Sequence, residues 1–308
     1  MFTRDQYELI DFGEGRKLER FGKYTLDRPF FAAERSIKKP PADVWASADA
    51  RFDRDELRNH SIEGRHSWSA AGALPQTWTI AHGGLVFELR LTRSPNGQVG
   101  IFPEQAANWD WIRSEVRRGP RPFRVLNLFA YTGGSTLAAA AAGAEVTHVD
   151  SSTTAVHWAR RNAELSRLDS RPIHWITDDA PKYVQRELRR GKQYEGIVLD
   201  PPSYGHGTSG EAWGGSELPA MLRNCAKLLA DQGRFLLLTS HTARILAGDL
   251  LDILADACRF NRDDIGCGPL ALRTREGRKL PAGAYVRWTS PDVNQQRTVH
   301  NTVDHHEA

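Results

Sequence analysis

Residues 123–150 read FRVLNLFAYTGGSTLAAAAAGAEVTHVD, and the fold is decided inside that stretch. Positions 123–129 form an apolar run of strand length, interrupted only by Arg124 and Asn127. Residues 135–142 are rich in alanine and stop at Gly143, as a short helix does. Residues 145–149 then supply a second strand. Strand, glycine turn, helix and strand in that order open a parallel sheet, because parallel neighbours need a crossover of this kind.

Downstream the alternation continues. Helices are expected over 154–165, 181–190, 218–229 and 246–257, and strands over 173–176, 196–199 and 234–240. The expected fold class is therefore α/β, a Rossmann-like doubly wound, mostly parallel sheet with helices on both faces. Residues 270–274 and 284–289, joined by the polar turn REGRKLPAG, complete it as a C-terminal antiparallel hairpin.

Upstream the pattern changes. Residues 23–26, 77–80 and 85–92 read as short strands, and the last runs into Ser94-Pro95-Asn96-Gly97, whose Asn-Gly pair signals a hairpin. A helical period is visible near 53–59. These features predict a small β-rich N-terminal domain over 1–105, serving either to read substrate or to cap the site. A helix over 106–118 ends at Gly119-Pro120-Arg121-Pro122 and opens a second domain over 106–290. The polar residues 291–308 are expected to form a mobile tail.

Composition narrows the function classes. With 308 residues, 40% hydrophobic and 26% charged, the chain has the balance of a folded protein of about two domains. Its 41 lysines and arginines against 38 acids exclude reading a nucleic-acid binder from total charge. Basic residues do cluster locally, at Arg113/Arg117/Arg118/Arg121/Arg124, at Lys182/Arg186/Arg189/Arg190/Lys192 and at Arg273/Arg275/Arg278/Lys279. Each cluster suits either phosphate contacts or a solvated face. Cys225, Cys258 and Cys267 are odd in number, widely spaced and without C-x-x-C, which argues against a disulfide framework or a zinc ribbon. Acidic residues near the N-terminus and the lack of a long apolar run point to a cytoplasmic protein with no membrane partner.

In a doubly wound sheet, ligands lie beyond the carboxyl ends of the strands. The first such end carries Phe129, Ala130, Tyr131, Thr132, Gly133 and Gly134. Its glycine pair lets backbone approach a ligand, or simply turns strand into helix. The dinucleotide pattern G-x-G-x-x-G is absent. The second end carries Asp150 and Ser151, placed to accept from ribose hydroxyls or to cap the next helix. The third carries Asp178, Asp179 and Ala180 before Pro181; one carboxylate suits an adenine amino group while the other caps, and Asp179 is preferred for adenine. The fourth, Asp200-Pro201-Pro202-Ser203-Tyr204, joins an acid, two rigid carbonyls and an aromatic ring at the ligand edge. That set suits a planar nitrogen-bearing acceptor, with Tyr204 stacking on the ring.

The segments VLNLFAYTGGSTLAAAAAGAEVTHVDSS, WITDDAPKYVQRELRRG and YEGIVLDPPSYGHGTSGEAW resemble class I S-adenosylmethionine-dependent methyltransferases. Within that class the chain is most similar to the group of bacterial 23S rRNA large-subunit methyltransferases of the I and K/L types, over roughly residues 97–290. The resemblance implies that residues 129–134 contact the methionine part of the cofactor S-adenosylmethionine, Asp150 and Ser151 its ribose, and Asp178–Ala180 its adenine. It also implies that residues 200–204 face the methyl acceptor, with Asp200, Pro201, Pro202 and Tyr204 as the catalytic set and no metal. In GQVGIFPEQAANWDW, the same resemblance places Phe102, Glu104 and Gln105 near the cofactor, and Phe102 suits a core position equally.

Two departures matter. The cytosine-C5 methyltransferases of this group use a cysteine nucleophile after the fifth strand, where this chain reads Leu238-Thr239-Ser240-His241-Thr242. Carbon methylation of a pyrimidine needs a covalent adduct, so that chemistry loses its nucleophile. The extra RNA-binding domains of the rRNA enzymes (PUA or THUMP) also have no match here. The function expected is methyl transfer to a nucleic-acid base, at a nitrogen of an rRNA nucleotide. The alternatives are a small-molecule or protein methyltransferase, a cofactor-binding protein without turnover, and a nicotinamide oxidoreductase, which the missing third glycine disfavours.

Overall fold

The computed structural model describes residues 1–39, 41–53, 67–70, 72, 74–92, 94, 97–202, 217–241 and 245–291. The chain divides into two compact units. One gathers Met1–Ala107, Arg161–Ser166 and Ala271–Ala282; the other gathers Asn108–Arg160, Arg167–Leu270 and Gly283–Ala308. The tail expected over 291–308 lies, beyond Pro291, outside the described residues, as do most of the residues of the helical period near 53–59.

The first unit is built on β1 (Tyr7–Gly13), β2 (Arg16–Phe21), β3 (Tyr24–Pro29), β4 (Ala50–Asp53) and β5 (Ser67–Ala70), paired in that order. All neighbours are antiparallel except β3 and β4. A short helix α1 (Ala42–Ala46) precedes β4, and β6 (Trp78–His82) pairs with β7 (Leu85–Leu89) as a separate hairpin. Its interior is ionic as well as apolar. Glu19 is fully buried and accepts from the Tyr7 hydroxyl at 2.8 Å and Arg28 Nε at 3.0 Å, with Lys17 Nζ at 3.1 Å. Burial pushes the Glu19 pKa up, but the Arg28 and Lys17 charges outweigh it and hold the carboxyl below its ordinary value.

Side-chain bonds recruit the two distant segments. Asn162 Oδ1 accepts from the Glu88 N–H at 2.8 Å and Ser166 Oγ from Val86 N–H at 2.9 Å, which satisfies main-chain groups of β7. Arg278 pairs with Asp11 and donates to the Phe12 and Ile37 carbonyls at 3.0 and 2.8 Å.

The second unit follows the strand–helix alternation. Helix α2 (Ala106–Arg118) leads into β8 (Arg124–Leu128), α3 (Gly134–Ala141), β9 (Glu145–Asp150) and α4 (Thr153–Leu165). Then come β10 (Ile173–Thr177), α5 (Ala180–Arg189), β11 (Gly196–Leu199) and α6 (Leu218–Leu228). The series ends with β12 (Phe235–Ser240), α7 (Ala247–Cys258), β13 (Ile265–Arg273) and β14 (Lys279–Thr289). The seven strands run in the order β10-β9-β8-β11-β12-β14-β13. The first five are parallel, and β14 is antiparallel to β12. The mixed α/β sheet expected from sequence is the one observed. The chain winds outward from β8 to β10 and then returns to β11, so the order reverses between β8 and β11. A crevice opens at such a point, outside the carboxyl ends.

Candidate functional site

Register places one residue from each parallel strand in a common row. Ile176 pairs with Val149, Val149 with Leu128, Leu128 with Leu199, and Leu199 with Leu238. Apart from Ile176, this row is completely buried apolar side chains. One step toward the carboxyl ends stand Thr177, Asp150, Phe129, Asp200 and Thr239. The core ends there, and two carboxylates and two hydroxyls begin.

The turn after β8 is conformationally strained. Phe129, Tyr131 and Gly133 take φ values of 56°, 48° and 91°. Left-handed backbone costs a bulky L-residue about 1–2 kcal/mol, so neighbouring bonds must hold it. Ala130 N–H donates to Val149 O at 3.0 Å, Tyr131 N–H to Asp150 Oδ2 at 2.8 Å and Gly133 N–H to Ala130 O at 3.0 Å. A Cβ on Gly134 would stand 2.5 Å from Trp109 Cζ2, which explains the second glycine. Beneath the turn runs a buried polar chain. Asn127 Nδ2 donates to Thr136 Oγ1 at 2.8 Å, and Thr136 Oγ1 meets His148 Nδ1 at 2.9 Å. Burial, with the Arg160 charge adding to it, pushes the His148 pKa down to about 3, so the ring is neutral.

Asp150 closes the other side of that turn. Its second oxygen accepts from Ser152 N–H at 2.8 Å, and burial pushes its pKa up against these two bonds. Helix α4 is capped by Ser152, whose Oγ accepts from Ala155 N–H at 3.2 Å, while Ser151 is exposed. Asp150 therefore has no capping role and presents its carboxylate beside the turn. At the third strand end the cap falls to Asp179, the acid the sequence reading preferred for adenine: its Oδ1 accepts from Lys182 N–H at 3.1 Å. Asp178 accepts from Asp179 N–H at 2.8 Å and pairs with Arg186 at 2.7 Å. Ala180 is buried as the first residue of α5, and Asp178 N–H donates to Asp150 O at 3.1 Å, tying the second and third ends together.

At the fourth end the Asp200 side chain is 28% exposed. The Thr239 hydroxyl donates to Asp200 Oδ1 at 2.6 Å, and His241 Nε2 lies 3.3 Å from the same oxygen. Neither contact is legible from spacing along the sequence. The signal was the register of β11 against β12, which sets Thr239 and Asp200 one step past the same paired row. Pro201 is buried and Pro202 exposed, while Ser203 and Tyr204 lie outside the described residues. The cysteines sit elsewhere, Cys225 within α6, Cys258 at the end of α7 and Cys267 in β13. Gln105 and Glu104 are buried in a 3-10 turn, Pro103–Gln105, belonging to the first unit.

Much of the basic charge is already engaged. Arg121 donates to the Gly143 and Ala142 carbonyls at 2.9 and 3.1 Å; Arg124 pairs with Glu195 at 2.7 Å, and Arg190 with Glu187 at 3.1 Å. Arg278 belongs to the first unit's interior bonding, as described. Lys182, Arg189 and Lys192, on or just after α5, remain exposed.

This donor set fits an adenosyl sulfonium. A carboxylate beside a tight turn suits ribose hydroxyls, close backbone suits the amino-acid part, and acids at the third strand end suit an adenine amino group. Among the described residues, no helix is long and apolar enough to cross a membrane. A family model described as S-adenosylmethionine-dependent methyltransferase matches residues 30–259. The ribosomal RNA large subunit methyltransferase I of Escherichia coli O139:H28 is 34% identical over 265 residues, 82% of this chain and 65% of that protein. The relative of the same description from Shigella boydii serotype 18 gives the same figures. The chain thus spans about two thirds of the length of these relatives, a little under that fraction at 65%. Among solved structures, the SAM-dependent methyltransferase from Agrobacterium tumefaciens superposes with a TM-score of 0.83 at 38% identity, covering 92% of this chain and 90% of its own. SMU.776, solved with SAH, shares the fold at a TM-score of 0.67 and 18% identity, covering 89% of this chain and 72% of its own. With the acid row lying over the sheet reversal and the family model spanning three quarters of the sequence, the chain belongs to the S-adenosylmethionine-dependent methyltransferases.

Proposed function

We propose that this protein methylates a nitrogen of a ribosomal RNA base. The observation that carries the reading is the strand-end row, in which Asp150 stands beside the glycine turn and Asp200 two strands away on the far side of the reversal. One carboxylate serves the cofactor and the other the acceptor. S-adenosylmethionine supplies a methyl group made electrophilic by a sulfonium.

The chain's own contribution is placement. The 129–134 turn holds the amino-acid part, Asp150 with Ser151 the ribose, and Asp179 with Asp178 and Ala180 the adenine. Gln105 completes the cofactor set in this reading. Asp200 and the Pro201 carbonyl accept hydrogen bonds from the acceptor's amino group, fixing its lone pair along the line of attack, and Pro202 stiffens that segment. Tyr204, outside the described residues, keeps the base-stacking role assigned to it from sequence. Holding both partners at attack distance removes the entropic part of the barrier, which reaches about 7–11 kcal/mol in well-oriented systems. No thiol stands at the described end of β12, so the covalent route to a ring carbon is disfavoured and nitrogen is preferred. Ribosomal RNA as substrate rests on the relatives of that description and on the exposed basic residues along α5. A cytoplasmic setting, consistent with three free cysteines, completes the reading.

The test incubates the protein and Asp200→Ala with labelled methyl donor and separate RNA, protein and metabolite fractions. Label in the RNA, at a base nitrogen by nucleoside mapping, is the expected result for the unaltered chain. Asp200→Ala removes that label while cofactor affinity stays within about fivefold, because in this reading Asp200 serves the acceptor and not the cofactor. Label in the protein or metabolite fraction instead would overturn the reading.

A further inference from the structure

His241 directly follows β12, at the strand-end row that carries Asp200. His241 Nε2 lies 3.3 Å from Asp200 Oδ1, the oxygen that also accepts from the Thr239 hydroxyl at 2.6 Å. Thr239 is 1% exposed and fixed in the paired part of β12, so Asp200 is anchored from the strand side. The His241 side chain is 25% exposed and the Asp200 side chain 28%, so solvent reaches both from the ligand edge. Next to His241, β14 contributes Gly283, where a Cβ would stand 2.2 Å from Ser240 O and 3.1 Å from His241 Cα. A side chain at 283 would therefore displace the backbone that carries the imidazole. Ala284 pairs with Ser240 and is likewise uncharged. Among the described residues, Asp200 at the end of β11 pairs with His241.

We propose that Asp200 and His241 form a proton-accepting dyad for the methyl acceptor. With the Nε2 proton held by the Asp200 carboxylate, the ring's basic lone pair resides on Nδ1. The acceptor nitrogen's lone pair forms the new N–C bond as the methyl group's bond to sulfur breaks and sulfur keeps that electron pair. The proton shed by the nitrogen passes to Nδ1, and the resulting imidazolium is stabilised by Asp200. Atoms and charge balance with no further reactant. The dyad also defines the acceptor class, a group carrying a removable proton, such as an exocyclic amine. A ring carbon needing a covalent adduct is excluded from it.

This inference rests on the proposed function, and two measurements separate their failures. The first needs no turnover. The His241 ring resonance, assigned by its loss in His241→Asn, is titrated by NMR in the unaltered protein and in Asp200→Asn without cofactor. A carboxylate at this distance raises an imidazole pKa, so Asp200→Asn lowers the midpoint by about one pH unit or more. An unchanged midpoint overturns the dyad, whatever the substrate. The second follows single-turnover methyl transfer against pH at saturating cofactor. The unaltered enzyme rises through the NMR midpoint. His241→Asn is pH-independent there and about 10²–10⁴-fold slower, with imidazole in the buffer restoring part of the rate. Cofactor affinity in His241→Asn stays within about threefold. A variant retaining both rate and pH profile overturns the proton transfer. An unaltered protein that labels no RNA overturns the proposed function, while the NMR titration still decides the pairing.

Discussion

His148 makes the stability of the methyltransferase unit sensitive to mild acid. The ring is wholly buried beneath the glycine turn, and its folded pKa is pushed down to about 3 from an ordinary 6.5. A histidine with a depressed folded pKa favours the native state while neutral. That contribution is complete above the unfolded value and erodes as the pH falls below it, because only the unfolded chain takes up the proton. At about pH 5 the gap of 1.5 units to the unfolded value corresponds to roughly 2 kcal/mol of lost stability, and near pH 3 the loss approaches about 5 kcal/mol. The perturbation is His148→Gln, which removes the titration and keeps a hydrogen-bonding partner for Thr136. The assay is equilibrium urea unfolding at about pH 7 and pH 5 for both proteins, compared as a difference of differences so that shared carboxylate titrations cancel. The substitution lowers stability at neutral pH, but the variant loses about 2 kcal/mol less between the two pH values than the unaltered chain. Equal losses in the two proteins would refute the argument, since they would mean that His148 takes up a proton in the native state as readily as in the unfolded chain.

Other perturbations address the cofactor edge and the thiols. Asp150→Asn removes the charge-assisted acceptor proposed for ribose, and on that reading weakens S-adenosylmethionine binding by about 1.5–3 kcal/mol, read by isothermal titration. Gly134→Ala sets a methyl group within 2.6 Å of Trp109 ring atoms and lowers the thermal midpoint. The strain corresponds to about 1–3 kcal/mol. Asp179→Ala removes the α5 cap and costs about 1 kcal/mol in chemical denaturation; weakened cofactor binding in the same variant would support its adenine role. Burial pushes the Cys258 thiol up to about 12 and Cys225 higher, whereas Cys267 is exposed. Native protein should therefore show one fast thiol toward Ellman's reagent, and iodoacetamide treatment of that thiol should leave methyl transfer intact.

The legible and illegible parts of this chain differ in physical kind. The second unit's strands could be read because parallel strands buried on both faces are continuous apolar runs, as in residues 234–240. Helix α2 was found residue for residue, since its end is written in Gly119-Pro120. In the first unit, β2 escaped notice because inward positions are charged, and β1 because Asp11 interrupts the inward row of Tyr7 and Leu9. Lys17 and Glu19 point into the interior as an ion pair, so hydrophobic alternation is missing where burial is greatest. Strands β13 and β14 were read short for a milder reason: Gly266, Gly268 and Pro269 in the first and Pro281 and Gly283 in the second are poor strand formers. At the site, the acids were legible from their place after each strand. The left-handed backbone at Phe129 and Tyr131 was not, because such residues avoid that conformation unless tertiary bonds impose it. The Asp200–His241 contact was equally hidden, being set by strand register rather than by sequence spacing.

That division also explains how such a site is able to change its chemistry without changing its scaffold. The row of Val149, Leu128, Leu199 and Leu238 is fully buried and determines strand pairing, so substitutions there remove core contacts and destabilise the sheet. The next row is past the core. Asp150, Asp200 and His241 are partly exposed; Asp150 bonds to the loop N–H groups of Tyr131 and Ser152, and Asp200 to Thr239 and His241. A substitution at position 241 therefore leaves the buried row of the sheet in place. It does change which atom is able to receive a proton and which atom is able to attack. Chemistry at this edge is decided by the residues one step beyond the buried row.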